Sequence, residues 1–290
     1  MTQIISALSD ISDRYDALFV DLWGCVHNGV TALPEAVAAL QKYRAQGGKV
    51  VLVTNSPRPR MGVQKQLVHF GVPDDAWDTI ATSGDSARAA LFSGIVGAQI
   101  YFIGTPGEEK FFEPIGVIKD PIDVQMVPME QATGIVCTGP RDSMADPSVM
   151  RSEFLMAKQM GLKLLCANPD IVVDRGHVRE WCAGALAQLY TEMGGESLYF
   201  GKPHPPIYDL ARRRLAELNT DVHDGAILAI GDGVLTDIAG AMREDIDSLF
   251  ISGGLAASET KTTHQPDPEM LSNHLRNEKS NPTFTIGQLR

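Results

Sequence analysis

Four short polar segments each follow an apolar run, and together they hold the parts of a phosphoryl-transfer site. Asp21 closes the run Leu18 to Val20, with Gly24 just beyond it. Thr54, Asn55 and Ser56 close Val50 to Val53, and Gly201, Lys202 and Pro203 follow Leu198 to Phe200. Gly231, Asp232 and Gly233, backed by Thr236 and Asp237, follow Ile227 to Ile230. A single Asp or Asn in such a place is most often a turn former or a helix cap. The four together supply a carboxylate nucleophile, hydroxyl and amide donors, a cation and two further acids. That is the set required for Mg²⁺-assisted phosphoryl transfer. A carboxylate can approach a phosphate dianion only where positive charge offsets the repulsion, which is the part Lys202 and a metal would play. Hard oxygen donors suit Mg²⁺ rather than zinc.

Two rival phosphate motifs fail. Lys202 is followed by Pro203 and position 196 is Glu, so the spacing of a nucleotide-binding P-loop is absent. Gly231, Asp232 and Gly233 lack the third glycine of a dinucleotide fingerprint, where Thr236 stands.

The elements that would position these groups alternate along the chain. Strands are expected at 17–21, 49–53, 226–230 and 248–251, with helices at 34–46, 205–218 and 235–242. Pro34 at a helix start, with Gly47 and Gly48 past its end, is the usual asymmetry. Continuous apolar strands alternating with helices predict a doubly wound parallel α/β sheet, with ligands taken beyond the carboxyl ends of its strands. The middle of the chain has its own alternation, with strands at 100–103, 134–138 and 163–166 and helices at 83–92 and 147–160. It reads as an inserted second α/β unit. The expected division is a core from 1–79 and 183–290, with an inserted cap at 80–182. The tail from 258 to 290 is polar and carries one expected helix near 268–276.

The chain has 290 residues, of which 44% are hydrophobic and 21% charged, enough for a substantial core. Its net charge of −11 argues against nucleic-acid binding, which draws affinity from cationic contacts to phosphate. No apolar run approaches the ~18–20 residues of a membrane helix, and the first residues lack a signal-peptide pattern, so a cytoplasmic protein is expected. Cys25, Cys137, Cys166 and Cys182 form no C-x-x-C pair and are expected as free buried thiols.

The four motifs, in this order, resemble the haloacid dehalogenase superfamily, in particular its class IIA capped phosphatases. About 145 residues separate Ser56 from Lys202, where that branch carries its cap, and the segment Asn168 to Asp170 looks like one of its cap elements. The resemblance implies a Rossmann-like core with an α/β cap, and hydrolysis of a small phosphorylated metabolite through an aspartyl-phosphate. It implies Asp21 as nucleophile, Thr54 and Asn55 as phosphate ligands, and Lys202 as the balancing cation. Mg²⁺ would be held by Asp21, Asp232 and the carbonyl of Trp23, with Asp237 in the metal site holding a metal-bound water or orienting the loop. A homodimer is plausible by resemblance alone.

One position departs from that pattern. Phosphatases of the superfamily usually carry an acid–base Asp two residues after the nucleophile, and here Trp23 stands there. Indole performs no acid–base chemistry, and loss of a positioned general acid costs about 10²–10⁴-fold in rate. Aryl or acyl phosphates, whose leaving groups need no proton, are therefore expected to be favoured. His27, six residues after Asp21, is the expected replacement acid, with Asp170, Asp174 and His177 as further candidates. Arg58 and Arg60 are candidates for receiving a substrate anion. Trp23 also keeps open a catalytically weakened binding protein, or a phosphotransferase, as the alternative to a phosphatase.

Overall fold

The computed structural model describes residues 2–113, 120–218 and 222–290. The chain opens with β1 (Gln3–Ile4), β2 (Ala17–Val20), α1 (Pro34–Ala45), β3 (Lys49–Thr54), α2 (Arg60–Phe70) and β4 (Thr79–Thr82). It continues with α3 (Ser83–Phe92), β5 (Gln99–Ile103), β6 (Gln125–Met126), β7 (Gly134–Cys137), α4 (Arg151–Gln159) and β8 (Lys163–Cys166). The hairpin β9 (Val172–Arg175) and β10 (Val178–Trp181) follows, then α5 (Ala183–Glu192) and β11 (Glu196–Tyr199). The last part holds α6 (Pro205–Ala216), β12 (Ile227–Gly231), α7 (Ala239–Arg243), β13 (Asp247–Ile251), α8 (Pro268–Asn277) and β14 (Phe284–Ile286).

Seven parallel strands form the first sheet, in the order β1-β14-β13-β12-β2-β3-β4. Five more parallel strands form a second sheet in the order β11-β8-β7-β5-β6, entirely inserted between β4 and β12. The first is a Rossmann-like core sheet covered on both faces, which is why β2, β4 and β12 are buried at every position. Alternate residues divide between the faces: Leu18, Val20, Val50 and Leu52 pack with Leu40 and Leu67, while Phe19, Val51 and Val53 pack with Ile207, Tyr208 and Ala211. The second sheet repeats the design. Ile135, Cys137 and Leu164 face Phe154 and Leu186, and Val136 and Leu165 face Ala87 and Leu91.

Sheet membership shifts the expected boundaries of the insertion. Thr79 to Thr82 complete the core sheet as β4, so the core runs past 79. Helix α5 packs its Leu186 and Tyr190 on the second sheet, and β11 is that sheet's edge strand, so the insertion runs past 182. Helix α3, whose start is capped by the Thr82 side chain accepting from Asp85 N, carries the chain from one sheet to the other. In place of a helix over 235–242, a π-helical turn at Val234–Ile238 leads into the short α7. All four cysteines are free and buried. Among the described residues no helix is long and apolar enough to cross a membrane.

Candidate active site

In an open α/β sheet the loops on either side of the first strand leave in opposite directions, opening a crevice at its carboxyl end. The core strand order places that crevice between β2 and β12, where Asp21 and Asp232 stand. Asp21 N donates to Ile230 O at 2.8 Å, which pins the nucleophile candidate to the neighbouring strand. Lys202, delivered by the loop before α6, reaches across β3 with a buried ammonium. Its Nζ donates to Asp21 Oδ1 at 2.5 Å, to Asp237 Oδ1 at 2.7 Å and to Val53 O at 2.8 Å. All three of its donors are thereby used.

Asp232 is held differently. Its Oδ2 accepts from Leu255 N at 2.9 Å, and two glycines close around its carboxylate. A Cβ on Gly24, whose φ is +73°, would fall 2.2 Å from Asp232 Oδ2, and one on Gly254 would fall 2.0 Å from the same atom. Only glycine allows the two loops to approach so closely. Asp237 Oδ2 accepts from Gly233 N at 3.1 Å, so this side chain fastens its own loop with one oxygen and Lys202 with the other.

Two buried carboxylates thus bind one ammonium, with a third, Asp232, beside Asp21. Burial pushes Asp21 up to about 7, against the opposing pull of Lys202, and burial with the charges of Asp21 and Asp237 raises Asp232 well above the carboxylate range. Burial alone would lower Lys202, but Asp21, Asp237 and Asp170 outweigh it and hold the ammonium charged. The surplus of negative charge is what a divalent cation would neutralise. Ligand atoms of Asp21, Cys25 and Asp232 lie within 4.8 Å of one another. Burial raises the Cys25 thiol well above its ordinary value, so it stays neutral, and a hard cation would take the two carboxylates. The Trp23 carbonyl is left out of the bonds that shape its loop, in which Gly24 N donates to His27 O and His27 N to Leu22 O. The donor set fits an oxygen-liganded divalent ion.

These groups open into a cavity of about 420 Å³ lined by Asp21, Trp23, Thr54, Lys202, Asp232 and Asp237 from the core. The inserted unit supplies the opposite wall, including Glu108, Thr138, Asp170 and Arg175. The β9–β10 hairpin touches the core loop after β2: Gly176 N donates to Asn28 O at 3.1 Å, and the Arg175 guanidinium lies 5.3 Å from the centre of the Trp23 ring. Gly29 makes room for that ring, since a Cβ there would sit 2.3 Å from it.

Two sequence expectations are corrected by this geometry. His27 does not line the cavity; it is fully buried, its Nδ1 accepts from Gly29 N at 3.1 Å, and its ring packs on Trp23 and Phe70. Burial, reinforced by Arg175, pushes it down to about 4, so it is neutral and enclosed rather than poised to deliver a proton. Asn55 does not line the cavity either. Its Oδ1 accepts from Lys202 N at 2.7 Å, and its Nδ2 donates to Lys202 O at 3.1 Å and Asp170 Oδ1 at 2.8 Å, which commits the whole amide to clamping neighbours. Asp237 orients its own loop through Gly233 N, one of the roles expected of it, and its other oxygen is tied to Lys202, outside the cluster of Asp21 and Asp232.

Of the other candidates, Asp170 is drawn against the core by Asn55, and burial pushes it up to about 6. Asp174 lines the cavity but is held in a two-pronged pair with Arg179, at 2.8 and 2.9 Å. His177 stands exposed at the hairpin tip, away from the cavity lining. Arg58 lines the cavity and Arg60 does not. Sequence reasoning missed Thr105, Glu108, Thr138 and Arg175. The first three follow strands of the inserted sheet, so the strand-end rule applied to the core would have found them there too.

A family model described as "Haloacid dehalogenase-like hydrolase" matches residues 18–118, and a second, for HAD-hydrolase-like chains, matches residues 199–277. A hydrolase of the haloacid dehalogenase-like family from Brucella suis 1330 is 40% identical, with a TM-score of 0.86 over 99% of this chain and 100% of that one. The 5'-nucleotidase YutF of Bacillus subtilis is 26% identical over 88% of this chain and 93% of its own. The glycerol-3-phosphate phosphatase of Gallus gallus is 23% identical over 86% of this chain and 83% of its own. With strand order, site and relatives in agreement, this chain belongs to the haloacid dehalogenase-like hydrolases.

Proposed function

We propose that the chain is a Mg²⁺-dependent phosphatase that hydrolyses a small phosphomonoester through a phosphorylated Asp21. The observation that carries this reading is the Lys202 ammonium bound to Asp21 and Asp237 beside the cradled Asp232. An Asp21 carboxylate oxygen attacks phosphorus, the ester P–O bond breaks, and the leaving oxygen departs with the electron pair. Water then attacks the phosphoryl group, giving inorganic phosphate and restoring the carboxylate. Lys202 favours the ionised form of Asp21 against burial and aims the carboxylate. Thr54 Oγ1 accepts from Ser56 N at 3.2 Å, which leaves its O–H free to donate to a phosphoryl oxygen. Asp21, Asp232 and the Trp23 carbonyl would hold the ion, which when bound supplies positive charge against the incoming phosphate. Asp237 and Asn55 act through Lys202, as positioning residues.

Sheet membership supports a core formed by 1–82 and 200–290, with a cap at 83–199. The names of the relatives support a small phosphorylated metabolite as substrate. The test is phosphate release over a panel of phosphomonoesters, with Mg²⁺ and with chelator, using Asp21→Asn as blank. Mg²⁺-dependent release that vanishes in Asp21→Asn is expected, and release that persists there overturns the mechanism. Because Trp23 offers no proton, a second outcome has a meaning of its own. One equivalent of phosphate bound to Asp21 without further turnover identifies the phosphotransferase reading.

A further inference from the structure

The inserted sheet carries a crevice of its own. Its first strand, β5, has β6 on one side and β7 on the other, so the chain reverses direction across the sheet between β5 and β7. That order is the flavodoxin-like one, in which ligands sit beyond the carboxyl ends of the strands at the reversal. Ile103 pairs with Cys137 at those ends, and the residues that follow, Thr105, Glu108 and Thr138, line the same cavity as Asp21. Two reversal points, one from each sheet, therefore face one cavity.

We propose that Thr105, Glu108 and Thr138 form a cap subsite that binds a hydroxyl or ammonium group on the leaving portion of the phosphomonoester. This rests on the phosphatase reading above and names the class of substrate it acts on. Glu108 Oε2 accepts from Thr138 Oγ1 at 2.5 Å and from Thr105 N at 3.1 Å. The fit around it is close, since a Cβ on Gly104 would lie 2.2 Å from Thr138 Oγ1 and 2.7 Å from Glu108 Oε2. Both donors are neutral, and they occupy two of about four acceptor positions on the carboxylate, which leaves acceptor capacity for a ligand. Of the cationic groups lining the cavity, Lys202 holds Asp21 and Asp237, Arg175 pairs with Glu180 while it covers Trp23, and Arg58 stands on the core side, in the loop between β3 and α2. At the cap end, a fixed anion supported by neutral donors favours a donor-bearing leaving group and repels a carboxylated one. The cavity, at about 420 Å³, has room for such a metabolite.

The experiment compares glucose 6-phosphate, phosphoethanolamine, 3-phosphoglycerate and p-nitrophenyl phosphate with wild type, Glu108→Ala and Glu108→Gln in saturating Mg²⁺. Wild type is expected to prefer the first two to 3-phosphoglycerate. Glu108→Ala should raise their KM at least tenfold with little change in kcat, and leave p-nitrophenyl phosphate within twofold. Glu108→Gln should recover the hydroxylated ester, because its amide oxygen still accepts, and fail to recover the ammonium ester, so the two arms identify the donor. A uniform loss on all four esters, no loss on any, or a wild-type preference for 3-phosphoglycerate overturns the subsite. Where wild type releases phosphate from none of them, the hydrolase reading fails and the subsite is read by calorimetry. Glucose 6-phosphate and phosphoethanolamine should then bind Asp21→Asn at least tenfold more tightly than the Asp21→Asn, Glu108→Ala double variant, and equal affinities overturn the proposal.

Discussion

Replacing Lys202 by methionine isolates the electrostatics of the site from its shape. Methionine fills nearly the same volume and removes the ammonium that serves Asp21, Asp237 and Val53 O. Breaking a buried ion pair from one side typically costs about 3–5 kcal/mol, because the partner charge is left uncompensated. For 290 residues, an unfolding entropy of about 2.1 cal/mol/K per residue turns that into a fall in Tm of about 5–8 °C. The pH dependence sharpens the expectation. The folded-state value of Asp21 lies at about 7, above its ordinary 3.8, chiefly because of burial. Between those values the folded chain holds a proton that the unfolded chain has released, so metal-free stability declines as pH rises through that window. Without Lys202 the folded-state value climbs further and the decline extends to higher pH. Scanning calorimetry in chelator should therefore give a larger deficit for Lys202→Met at pH 8 than at pH 5.5. A variant as stable as wild type at both pH values, or one whose deficit is equal or greater at pH 5.5, would refute the argument.

Two further substitutions separate shape from chemistry. Gly254→Ala drives a methyl group to 2.0 Å from Asp232 Oδ2 and must displace that carboxylate from Leu255 N. The Mg²⁺ concentration for half-maximal phosphate release should rise at least tenfold, while Tm in chelator falls by less than in Lys202→Met; an unchanged metal titration would remove Asp232 from the ion's ligands. His27→Asn keeps an acceptor near Gly29 N, and since His27 is sealed from the cavity its kcat/KM should stay within about threefold of wild type. A loss of the about 10²–10⁴-fold that accompanies removal of a general acid would restore His27 to the chemistry.

The doubly wound core was legible because its strands are continuous apolar runs, and the groups at their ends, Asp21, Thr54, Lys202 and Asp232, fall into one cavity. What remained hidden had little periodicity to announce it. The β9–β10 hairpin mixes Val172, Val173, Val178 and Trp181 with Asp174, Arg175, Arg179 and Glu180, which form cross-strand ion pairs, so neither strand is a continuous apolar run. Strands β1 and β14 span two and three residues, too short for a pattern, and exist because β14 adds to β13 and β1 adds to β14 at the sheet edge. His27 was misplaced because spacing along the chain says how far a loop extends and not which side of it faces the core. Asn55 and Asp237 were near the site as expected, but their hydrogen bonds point to Lys202, a direction that sequence does not carry.

The contacts between the cap hairpin and the loop after β2 join the two sheets at the rim of the cavity. One backbone hydrogen bond, Gly176 N to Asn28 O, and one cation–π pair, Arg175 on Trp23, are worth about 1–2.5 kcal/mol together. Trp23, which occupies the place where a proton donor is expected, is thus also the surface on which the cap hairpin rests: the residue that gives up acid catalysis joins the two sheets beside the cavity.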